Sequence, residues 1–82
     1  MDDWREMLYS KTLEEELTGL ERRRGADSGC TPADLQALLE RLYELEGADW
    51  LGRGEVQSIT LSAQIAAHER FISEWRAEKN DG

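Results

Sequence analysis

Leu35, Leu38, Leu39, Leu42 and Leu45 recur at steps of three and four residues, the spacing that lines one face of an α-helix. The ends of this run are marked as well as its face. Thr31 offers an oxygen to the first free N–H groups, Pro32 fits the first helical position, Asp34 puts an acid in the first turn, and Gly47 stops the run. A helix over 32–46 follows. Its outward side carries Glu40 and Glu44 four residues apart, and Glu46 sits near the C-terminal end, where the helix dipole disfavours an acid.

Leu13, Leu17 and Leu20 make a second stripe, preceded by Thr12 and Glu15 at capping-box spacing and followed by Gly25, a residue suited to a left-handed helix stop. These signals predict a helix over 13–24. Upstream, Trp4 and Leu8 also have helical spacing, but the five-residue step from Leu8 to Leu13 breaks the stripe. A short separate turn over 2–9, or a kinked extension, is expected there. A third stripe of Leu61, Ile65, His68, Ile72 and Trp75 predicts a helix over 55–77, about 34 Å long, with Ala63, Ala66 and Ala67 as a small-residue flank for a close neighbour. Residues 78–82 read as a frayed tail.

The fold class is therefore all-α, a single domain over 1–82. It is either a small three-helix bundle or a helical hairpin with an extra N-terminal helix. The connection "GADWLGRG" holds two bulky apolar residues among glycines. The favoured reading makes Trp50 and Leu51 a plug over the open end of the hairpin. A weaker one makes Arg53 and the start of the third helix an anion site, against which Asp49 and Glu55 count. The second helix spans roughly 22 Å, so about 12 Å of an antiparallel third helix should project beyond it. That projecting end would carry Phe71, Ile72 and Trp75 as an uncovered patch facing either the Trp4–Leu8 segment or another protein.

Composition narrows the functional classes. Hydrophobic residues make up 39% of the 82, enough for a folded domain, while a mean hydropathy of -0.70 demands a wet surface. No run is apolar enough to span a membrane, and the acidic "MDDWREML" start is unlike a secretory signal, so a cytoplasmic location is expected. Ten basic against eighteen acidic residues give a net charge of -8, which disfavours direct binding of nucleic acid. The middle of the chain, 25–54, is the most acidic part, and the basic run Arg22–Arg24 falls where cations suit a helix C-terminus. Cys30 and His68 each stand alone, so no metal site, cofactor or catalytic pair is expected.

What remains is a protein that is not an enzyme and that binds another protein. The expected partner presents a basic surface, with Phe71, Ile72, Trp75, Trp50, Arg53, Glu40 and Glu44 as the contact residues. One version is an acidic inhibitor that competes at a basic nucleic-acid-binding surface, in the manner of anti-defence or anti-CRISPR proteins; that version rests on size and charge alone. The alternative is a structural subunit that associates with itself as a homodimer or larger assembly.

Overall fold

Asp3 starts the first helix by accepting the backbone N–H of Arg5 on its carboxylate at 3.0 Å, and no proline or glycine interrupts the chain from there to Thr18. In the computed structural model, which describes residues 3–47 and 54–80 (for 79 and 80 the backbone only), α1 accordingly runs unbroken over Trp4–Ala26. The expected separate turn and the boundary at 13 are both corrected. Thr12 and Glu15 lie inside a helix whose N-cap, Asp3, stands nine residues before Thr12. Gly25 is likewise helical, and the helix ends instead at Asp27, whose extended backbone leaves the helix while its N–H donates to the Arg23 carbonyl at 3.0 Å.

The connection to the next helix is short and internally bonded. The Asp27 carboxylate accepts the Gly29 N–H at 2.9 Å, and its carbonyl accepts the Cys30 N–H at 3.0 Å. Helix α2 spans Pro32–Gly47. Its start is a reciprocal box: the Asp34 N–H donates to the Thr31 hydroxyl oxygen at 3.3 Å, and the Thr31 N–H donates to the Asp34 carboxylate at 2.9 Å. Helix α3 spans Glu55–Asn80, beginning where the sequence predicts and outlasting the expected fraying point by three residues.

Three α-helices and, among the described residues, no strand make a small all-α bundle. It is built around α3, which packs against both α1 and α2. Three side-chain bonds give the directions. Arg5 reaches Glu55, Gln64 reaches Glu16, and Arg24 reaches Glu78, so α1 runs parallel to α3. Tyr43 bonds Glu69, and Gln36 shares a groove with Arg76, so α2 is antiparallel to α3. The core unites Leu20 of α1, Cys30 of the loop, Leu35 and Leu39 of α2, and Ile65, Phe71, Ile72 and Trp75 of α3.

The register of α2 on α3 differs from the expectation. Tyr43 lies level with Glu69, so by rise alone Pro32 falls near the end of α3, and about 15 Å of α3 at its N-terminal end extends past Gly47. The projecting end is therefore Glu55 to about Ile65, not Phe71 to Trp75. Reading the pair as a tight hairpin placed the overhang at the wrong end.

Candidate interaction surfaces

At 100° per residue, Leu13, Leu17 and Leu20 point within about 60° of each other around α1. Trp4, Met7, Leu8 and Lys11 cluster within about 100° on the opposite side. Since α1 is unbroken between the two groups, the first stripe faces the core and the second is turned away from it. Exposure agrees: Leu20 is buried and Leu17 packs on the core, whereas Trp4 is 49% and Met7 64% exposed, with Leu8 half-buried between them. The Arg5 guanidinium lies 5.6 Å from the centre of the Trp4 ring and pairs with Glu55 at 2.6 Å. Trp4 and the exposed Val56 thus lie at the same end of the molecule. The signal for this surface was in the sequence. A five-residue step without glycine or proline means a continuous helix with two opposed stripes.

The expected aromatic patch is internal. Phe71, Ile72 and Trp75 are 7%, 3% and 6% exposed, because α2 and the C-terminal half of α1 both reach this end of α3. Phe71 and Trp75 meet edge to face, with ring centres 5.9 Å apart. Arg24 closes the site from α1, its guanidinium 4.3 Å from the centre of the Trp75 ring and its two terminal nitrogens donating to the two oxygens of Glu78 at 3.0 and 3.1 Å. Hydrogen bonding to Arg24, helped by its charge, holds the Glu78 carboxyl below the ordinary carboxylate range. The same bond raises the Arg24 pKa. The arginine run thus does more than suit the helix dipole, and Arg24 is a residue that sequence reasoning missed.

Glu40 and Glu44 are exposed on α2 as expected, and the last turn of α2 holds acids without a basic residue. Tyr43 lies among them, three residues from both Glu40 and Glu46. Its hydroxyl donates to Glu69 of α3, and that bond, with burial and the Glu69 and Glu46 charges, raises its pKa above 10.0. Trp50 and Arg53, the remaining expected contact residues, lie outside the described residues.

His68 is buried, and its Nδ1 donates to the Gln64 carbonyl at 2.8 Å, as a helical histidine does when it serves packing. Cys30 is a buried core residue with a free thiol. Among the described residues no group of three His, Cys, Asp or Glu side chains converges as metal ligands would, and no helix is long and apolar enough to cross a membrane. Protein-family models, curated proteins and solved structures give no match to this chain. The functional reading rests on its surfaces.

Proposed function

We propose that this protein is a non-enzymatic interaction module that docks on a basic surface of a larger protein through the acidic flank of α2. The observation that carries this reading is the C-terminal half of α2. Glu40, Glu44 and Glu46 stand exposed on it, close to a helix end whose own dipole is negative, with Arg41 as the basic residue among them and none in the last turn. Uncompensated acids there cost the isolated helix a few tenths of a kcal/mol each. A cationic partner turns that cost into attraction. Tyr43, 39% exposed beside these acids, supplies a rigid amphipathic contact of the kind that anchors interfaces. A net charge of -8 on so small a body also steers encounter with a basic surface and repels nucleic acid, which fits competition at a nucleic-acid-binding site.

The test is crosslinking in an extract of the native host at about 0.05 and 0.5 M salt, with mass spectrometry of the captured protein. Wild type should capture a protein with a basic surface at low salt, and Glu40→Lys with Glu44→Lys should lose it while α2 stays folded by circular dichroism. Capture that ignores both salt and charge reversal removes the acidic-flank reading.

A further inference from the structure

We draw no further inference here: the strongest candidate, the groove between α2 and α3 lined by Leu39 and Ile72, with Tyr43 and Glu69 at one end and Gln36 and Arg76 at the other, is an open surface and nothing in the structure shows what covers it.

Discussion

Replacing Trp75 by alanine separates a core end of α3 from a docking end. Trp75 is 6% exposed, packs edge to face on Phe71, and is covered by the Arg24 guanidinium, so truncation removes most of an indole from a closed site spanned by α1 and α3. Core Trp→Ala changes cost about 3–5 kcal/mol, whereas an 82-residue domain has on the order of 4–12 kcal/mol in total. The variant should therefore lose about a quarter or more of its stability, and at the lower end of that range it would not fold. Urea unfolding followed by far-ultraviolet circular dichroism measures this directly. With a slope of about 1 kcal/mol per molar for so short a chain, the midpoint should fall by roughly 3 M or the transition should vanish. Trp75→Phe keeps an aromatic edge for Phe71 and a face for Arg24, so its loss should be about half as large and its transition still measurable. A solvent-facing Trp75 would give a midpoint within about 0.5 M of wild type in both variants, matching the roughly 0.5 kcal/mol usual for exposed substitutions, and that result would refute the packing derived above.

Other outcomes follow from single features of the fold. Gly19→Ala should raise stability by about 0.5–1 kcal/mol in the same urea assay, because Gly19 is an exposed residue inside α1 and nothing lies within 4 Å of where the added methyl would stand. Glu78 has a lowered folded pKa, so its contribution is full above the unfolded value of 4.5 and fades as pH falls through the folded one; Glu78→Gln should flatten the loss of thermal stability measured in that acidic window. Tyr43 has a raised folded pKa, so its contribution holds below the unfolded value of 10.0 and is lost as pH rises above it; in a Tyr9→Phe background, ultraviolet titration should show phenolate forming above pH 10, and Glu69→Gln should bring that titration down.

Helix α2 could be read whole from the sequence because every signal for it is local. Thr31, Pro32 and Asp34 start it, the leucines give its face, and Gly47 ends it. Its placement could not be read, since the register of Tyr43 against Glu69 is set by the fit of two surfaces and by the connection between the helices. The upper boundary of α1 was misread for a related reason. A capping box is evidence for a helix start only where the preceding N–H groups lack partners, and Asp3 had already supplied one upstream of Thr12. Arg24 was visible only as part of a basic run, because its pairing with Glu78 joins residues 54 positions apart.

The continuity of α1 links these errors, because one unbroken helix accounts for both the patch that vanished and the one that took its place. If α1 began near Thr12, the upstream residues could turn back, and Trp4 and Leu8 would be free to cover an exposed part of α3. Running straight from Trp4 to Ala26 instead, α1 carries Arg24 far enough along α3 to cap Trp75, and by the same length it turns Trp4 and Met7 away from the core. The two results cannot be separated by moving side chains alone. A helix rotated by about 180° to bury Trp4 and Met7 would pull Leu17 and Leu20 out of the core that they share with Phe71, Ile72 and Trp75. The stripe that continues into this core goes inward, and Trp4 and Met7 are left at the surface.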